Sequence, residues 1–297
     1  MSTGGIATDP KPAGNIDFDV ESITEAVLQQ INGTPSPRLR EIMDAAVRHV
    51  HAFAREINLS RDEWLTGINF LTAVGKTCTP EHQEFILLSD TTGLTTLMNL
   101  LQDQRGQDAA TRASVLGPFY REQAPLLPLG DGVAKVTTGP EAVMYGQVRD
   151  PQGNPIANAE VHVWLADAEG QYDIQAHGPD VVDLRARFIT DEAGRYWFRT
   201  TQPVGYSVPM GGPVGELIRA TARAGMRPAH IHFLIRAAGY QPLVTSVYFQ
   251  GDPYLETDAA FGVTRALVVE VLPPSDAAPI VDLPRIAYDF TLVTDGV

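Results

Sequence analysis

Glu160-Val-His-Val-Trp-Leu165 decides the fold. Glu160, His162 and Trp164 fall on one face of this stretch, and Val161, Val163 and Leu165 on the other. That is the period of two of a half-buried strand. The same alternation runs on either side of it. Val143, Tyr145 and Gln147 alternate upstream, and further strands read at 195–200, 229–236, 243–249, 265–272 and 286–293. Asp150-Pro-Gln-Gly153 and Asp191-Glu-Ala-Gly194 are turn signals between them. About seven short strands with such punctuation predict an antiparallel β-sandwich over 141–297. Strands do not alternate with helices and no Gly-rich phosphate loop occurs, which excludes a doubly wound nucleotide-binding fold.

Working back towards the start, the period becomes helical over 20–104. Ile23, Ala26, Val27 and Ile31 share one face of a first helix. Ser36-Pro37 reads as an N-cap with Pro at the first helical position. The helix that it opens carries Leu39, Ile42, Met43, Ala46, Val50 and Phe53 at spacings of three and four. Ser60-Arg-Asp-Glu63 is a capping box ahead of Leu65, Ile68 and Leu71. Thr79-Pro-Glu81 is expected to open a helix running through Phe85 and Leu88 to Leu100. Residues 1–19 read as a flexible tail and 105–140 as a connector rich in Gly, Pro and Gln. Within the connector, Ala113-Ser-Val-Leu-Gly-Pro-Phe-Tyr120 is apolar for a linker, and fits either a segment packed across a domain seam or a pocket wall. The fold class is therefore mainly β with a helical N-terminal part.

Composition narrows the function. Length alone suggests about two domains. The chain has 22 Lys+Arg against 36 Asp+Glu, a net charge of −14, which argues against a nucleic-acid partner. No run of apolar residues is long enough to span a membrane. The first residues lack the basic-then-apolar order of a secretory signal, and the single Cys78 allows no internal disulfide. A cytoplasmic location is the simplest expectation.

The sharpest local feature is Arg227-Pro-Ala-His-Ile-His232. On a strand, His230 and His232 project together while Ile231, Phe233 and Ile235 face the core. Two imidazoles on one face can ligate one metal, or can stand as hydrogen-bonded strand histidines. Cys78 lies in the helical part, and no Asp or Glu sits at an obvious ligand spacing. Tyr172 and Tyr206 remain, each in a loop beside a strand end. Spacing does not choose between ligand and edge aromatic for either.

Ala113–Tyr120, Gly170-Gln-Tyr-Asp173, Thr190-Asp-Glu-Ala-Gly-Arg-Tyr196, Gly205-Tyr206 and Arg227–His232 occur in this order. Together they resemble the intradiol ring-cleavage dioxygenases, in the branch of the hydroxyquinol and catechol 1,2-dioxygenases. The resemblance runs from about residue 20 to the C-terminus. It implies that Tyr172, Tyr206, His230 and His232 bind one Fe(III) per chain. Phenolate is a hard anionic ligand suited to a ferric ion, and the ion favours its deprotonation. The resemblance further implies that the substrates are a small aromatic diol and O2. Tyr206 is then the ligand that takes a proton and leaves as the diol binds, while Tyr172 stays. Arg227 matches the family arginine that stabilises charge on the ring, a role suited to a fixed guanidinium. From spacing alone, a salt bridge beside the strand explains Arg227 equally well. At Ser246, many catechol-cleaving relatives carry Gln or His, so the environment of the ligands differs here.

By the same resemblance the substrate pocket is lined by Leu87, Asp90, Val115, Leu116, Gly117, Pro118, Phe119, Val208 and Pro209. Asp90 resembles the hydroxyquinol branch, where an acidic residue can accept a hydrogen bond from a third hydroxyl. Hydroxyquinol (benzene-1,2,4-triol) cleaved to maleylacetate (3-hydroxy-cis,cis-muconate) is thus the expected reaction, with catechol or a substituted catechol as the alternative. Asp90 in solvent, or capping a helix break before Thr91-Thr-Gly93, is the competing reading. The resemblance also implies a homodimer through the N-terminal helices, holding a phospholipid in a shared apolar tunnel. The apolar face of the helix at 37–57 permits that, although a monomer's core predicts the same periodicity. Two other classes compete: a non-catalytic transthyretin-like sandwich module, and a zinc hydrolase built on the two histidines.

Overall fold

The computed structural model describes residues 17–103 and 110–295. Most of the tail expected at 1–19, and the start of the connector at 105–109, lie outside the described residues. The chain packs as two compact units, Met1–Asn69 and Phe70–Val297.

In the first unit, α1 is Ser22–Ile31 and α2 is Pro37–Glu56. Pro37 fills the first position of α2, and the Ser36 hydroxyl accepts from the Leu39 amide at 3.3 Å. The Arg48 guanidinium of α2 meets Glu25 of α1 at 3.0 Å. No side chain of α2 is buried, and Leu39, Val50 and Phe53 are at least half exposed. α3 is Arg61–Thr77. Its start is capped as expected, with Ser60 N–H donating to Glu63 at 2.9 Å and Glu63 N–H donating back to the Ser60 hydroxyl at 3.3 Å.

The second unit departs from the single helix expected from Thr79 to Leu100. Residues 79–82 form a tight turn, α4 is Glu84–Thr91, and α5 is Leu94–Asp103. Gly93, at φ +78°, makes the break. Downstream come β1 Glu141–Arg149, β2 Glu160–Trp164, the single-turn α6 Asp173–Ala176, β3 Arg185–Ile189 and β4 Arg195–Thr201. They are followed by β5 Tyr206–Ser207, α7 Pro213–Ala220, β6 Met226–Arg227, β7 His230–Arg236, β8 Leu243–Phe249, β9 Val268–Val269, β10 Arg285–Ala287 and β11 Phe290–Thr291.

One sheet has the order β3-β2-β7-β8-β9; in the other, β1 pairs with β4, β10 and β11. The central ladders are antiparallel, whereas β9, β10 and β11 join parallel as short edge strands. The strand expected at 265–272 is thus a 3₁₀ turn at Arg265–Leu267 plus two strand residues. The strand expected at 286–293 is interrupted between Ala287 and Phe290.

Between the sheets lie Val161, Val163, Leu165, Ile231, Phe233 and Ile235, the inward set that the alternation assigned. Phe188 stacks on Phe198 at 5.0 Å, and Phe233 meets Phe290 at 4.8 Å. Each such buried aromatic contributes roughly 1.5–3 kcal/mol. The outward faces of β2 and β7 are consequently free to carry polar chemistry.

Candidate active site

Three adjacent strands set the site in register. β7 pairs His232 with Trp164 of β2 on one side and with Ser246 of β8 on the other. His230 lies opposite Tyr248. The Trp164 indole stacks on the His232 ring at 4.9 Å and 7°. The Ser246 hydroxyl is 3.0 Å from His232 Nδ1, and His230 Nδ1 donates to the Pro228 carbonyl at 2.7 Å. Both imidazoles are completely enclosed, and their Nε2 atoms point at each other across 3.0 Å.

The two tyrosines arrive from loops. Tyr172 caps α6, its amide donating to Gln175 at 3.0 Å. The next residue, Asp173, is fixed by a buried ion pair in which Arg185 Nε donates at 2.6 Å; Arg185 Nη1 also donates to the Phe119 carbonyl at 3.1 Å. Tyr206 sits on β5 opposite Arg227 of β6. Gly170 stands behind it at φ +77°, where an added Cβ would lie 2.4 Å from the Tyr206 Cβ. The phenol oxygens are 2.9 Å apart, and each lies near His230 Nε2, Tyr172 at 3.5 Å and Tyr206 at 3.4 Å.

Four donor atoms thus converge from four points of the chain. Spacings of 2.9–3.5 Å between them suit bonds of about 2.0–2.2 Å to one central cation. The electrostatics agree. Burial, reinforced by Arg227, holds the His230 pKa down to about 3, and burial carries that of His232 well below its usual value. Both rings are therefore neutral and able to ligate. Burial raises both phenol pKa values, that of Tyr172 the more strongly. An enclosed phenol ionises only against a strong positive charge, so two such phenols fit a trivalent ion better than a soft or divalent one. Among the described residues, no group of three or more His, Cys, Asp and Glu could hold a metal, which removes the carboxylate that a zinc hydrolase would use.

Arg227 is buried beside this cluster, with Nη1 3.2 Å from His230 Nε2. Burial opposes its charge, but Asp258 secures it through Nε at 2.9 Å. The salt bridge and the place beside the cluster are therefore both realised. Asp258, Tyr248 and Trp164 are parts of this environment that the sequence reading missed. Asp258 lies 31 residues from Arg227 and has no motif around it. Trp164 was legible, because it shares the face of His162 on a recognised strand.

The expected pocket residues divide. Leu116, Gly117 and Pro118 line a cavity of about 680 Å³, together with Gln83, Ile86 and Tyr120. Gly117, at φ +72°, passes so close that an added Cβ would be 3.3 Å from His232 Nε2. Val115 is fully buried, and Phe119 packs on Tyr172 at 4.8 Å. Leu87 and Val208 pack in one apolar cluster that includes Ala259, and Pro209 follows half-buried. Asp90 is 1% exposed, which excludes a solvent-facing role. Its Oδ1 has no hydrogen-bond partner, and burial pushes its pKa up to about 6. Its backbone carbonyl accepts from Gly93 at the helix break, and its carboxyl is hydrogen-bonded to the Thr95 side chain just beyond that break.

Comparison with known proteins bears on this geometry. Residues 115–295 match the family model described as Dioxygenase, and residues 36–110 the model described as Catechol dioxygenase N terminus. The chain is 42% identical to the 6-chlorohydroxyquinol 1,2-dioxygenase of Cupriavidus pinatubonensis, over 93% of this chain and 98% of that protein. It is 41% identical to the hydroxyquinol 1,2-dioxygenase of Rhodococcus opacus, over 88% of each. The crystal structure of hydroxyquinol 1,2-dioxygenase from Pseudomonas putida superposes with a TM-score of 0.80 at 38% identity, covering 93% of this chain and 99% of that one.

Proposed function

From the premise that this chain belongs to the intradiol ring-cleavage dioxygenases, we propose that it cleaves hydroxyquinol between its adjacent hydroxylated carbons. Both atoms of O2 enter the product, maleylacetate (3-hydroxy-cis,cis-muconate). The observation that carries the choice of substrate is Asp90. A buried carboxylate oxygen without a partner costs about 1–3 kcal/mol. The third hydroxyl of a 1,2,4-triol satisfies it, and plain catechol leaves it stranded. The names of the relatives point the same way.

Tyr172, Tyr206, His230 and His232 would hold one Fe(III) per chain. When bound it would supply Lewis acidity towards the oxygens of the diol. Tyr206 takes a diol proton on its phenol oxygen and withdraws. A strand of only two residues carries it, which makes it the less tethered tyrosine. Tyr172 stays, because the α6 cap and the Asp173–Arg185 pair hold its backbone. Arg227 faces developing negative charge with a guanidinium that Asp258 keeps fixed. Trp164 and Phe119 wall the ligands from water.

The remaining features of the reading are a homodimer through the N-terminal helices, a phospholipid in their shared apolar tunnel and a cytoplasmic location. What supports the dimer is the exposed apolar face of α2. No helix among the described residues is long and apolar enough to cross a membrane.

Oxygen uptake by iron-replete protein, corrected for autoxidation, tests the proposal. Rapid uptake with hydroxyquinol and little with catechol is expected. A preference for catechol would retain the ferric site and overturn the role of Asp90. Colourless, iron-free protein that stays inactive after iron is supplied would favour the non-catalytic sandwich.

A further inference from the structure

We propose that Tyr248 is a positioning residue for ring cleavage: its hydroxyl, oriented by Ser114, holds the Arg227 guanidinium so that Nη1 faces the four-donor cluster. The inference rests on the reading of Arg227 given above.

Proton accounting fixes the direction of each bond. The Gly262 carbonyl can only accept, so Ser114, 2.9 Å away, commits its single hydroxyl proton there. Ser114 therefore accepts from Tyr248, whose hydroxyl is also 2.9 Å away. With its own proton donated, the Tyr248 oxygen accepts from Arg227 Nη2 at 3.2 Å. Asp258 takes Nε at 2.9 Å and Nη2 again at 3.3 Å. One edge of the guanidinium is thus anchored on two acceptors from different elements. Nη1 is left to face His230 Nε2.

The surroundings leave this arrangement little freedom. Tyr248 is fully buried and lies opposite His230 on the β7–β8 ladder, so strand register sets the height of its hydroxyl. At Gly262 an added Cβ would come within 2.7 Å of the Tyr248 hydroxyl, 2.9 Å of Ser114 Oγ and 3.2 Å of Arg227 Nη2. The backbone there closes over all three groups. Asp258 supplies the countercharge and holds one edge, and Tyr248 adds a second acceptor at Nη2 that limits tilt about that edge. A planar guanidinium held by Asp258 alone can still tilt about that edge.

The test compares Tyr248→Phe, Ser114→Ala and the double substitution in iron-loaded protein. Tyr196→Phe is the control, since it removes a similarly buried hydroxyl whose partner is the Tyr288 carbonyl, away from the site. For Tyr248→Phe, kcat on hydroxyquinol should fall about tenfold, with KM within about twofold, as expected for the loss of one hydrogen bond to a charged group. Ser114→Ala should give a smaller loss in kcat, and the double variant should be no worse than Tyr248→Phe alone. Tyr196→Phe should lower the melting temperature without lowering kcat. A crystal structure of Tyr248→Phe should show Arg227 Nη1 displaced from the cluster. An unchanged kcat in Tyr248→Phe, multiplicative losses in the double variant, or an unmoved guanidinium would overturn the proposal. Wild-type protein that cleaves no diol would instead overturn the functional reading, and the position of Arg227 in the Tyr248→Phe crystal would still decide this one.

Discussion

Trp164 and His232 lie face to face, with ring planes 7° apart and centroids 4.9 Å apart, because strand pairing places them directly opposite each other. The indole is the wall against which the imidazole is held. Trp164→Ala should cost about 3–5 kcal/mol of stability through the cavity left behind, and should also reduce the iron retained after dialysis. Trp164→Phe keeps part of the stack and should lose less of both. Denaturant unfolding together with iron content checks the pair. Iron content unaffected by Trp164→Ala would show that the strand alone orients His232.

Gly170 makes a sharper case. Its φ of +77° disfavours any side chain, and the Cβ of alanine would meet the Tyr206 Cβ at 2.4 Å. Gly170→Ala should therefore displace Tyr206 and, in iron-loaded protein, weaken the phenolate-to-iron absorption expected of the proposed site. Tyr206 belongs to the cluster of Phe119, Trp164 and Tyr172 and not to the residues packed between the sheets, so far-ultraviolet circular dichroism should be unchanged. A variant with full visible absorption would show that the loop yields without moving the tyrosine.

These relationships mark how far the sequence could be read. Period-two alternation fixed which faces of β2 and β7 turn inward, and it placed His230 and His232 side by side. The helix starts at Ser36 and Ser60 were legible because capping is local. β3, Arg185-Ala-Arg-Phe-Ile189, escaped notice because arginine at its first position looks like surface; Asp173 pairs with it inside the protein. The parallel edge strands near the C-terminus are two or three residues long, too short to carry a period. The Arg227–Asp258–Tyr248 network joins residues far apart in sequence, so no local signal announced it.

Asp90 carries a pH signature. Its carboxyl titrates near 6 in the folded chain because it is buried, against about 3.9 when unfolded. Between about pH 4 and pH 6 the native state holds the extra proton, so stability falls as pH rises through that window. The contribution of this group is at most about 3 kcal/mol. Asp90→Asn should flatten that part of the profile and raise stability at pH 7. The same variant should lose hydroxyquinol preference, by about 10- to 100-fold in kcat/KM relative to catechol, because an amide accepts the third hydroxyl less well. Urea unfolding from pH 4 to pH 7, with and without the substitution, reads the first effect. An identical slope in both proteins would place the titration elsewhere.

Arg227 and Asp258 are each buried, 2.9 Å apart. Removing one charge strands the other, so Asp258→Ala should destabilise by about 3–5 kcal/mol. Arg227→Met removes the cation while keeping much of the stem, and should cost less stability in the background of Asp258→Ala than in wild type. The catalytic pattern should run the other way. Arg227→Met eliminates the charge facing the ring and should lower kcat by at least about 100-fold. Asp258→Ala leaves the charge present but unanchored, and should lower kcat less than Arg227→Met does. Unfolding and turnover measured on all four members of the cycle separate the two contributions. If both single substitutions lowered kcat equally and the double went no further, guanidinium orientation, rather than its charge alone, would be the quantity that Asp258 controls.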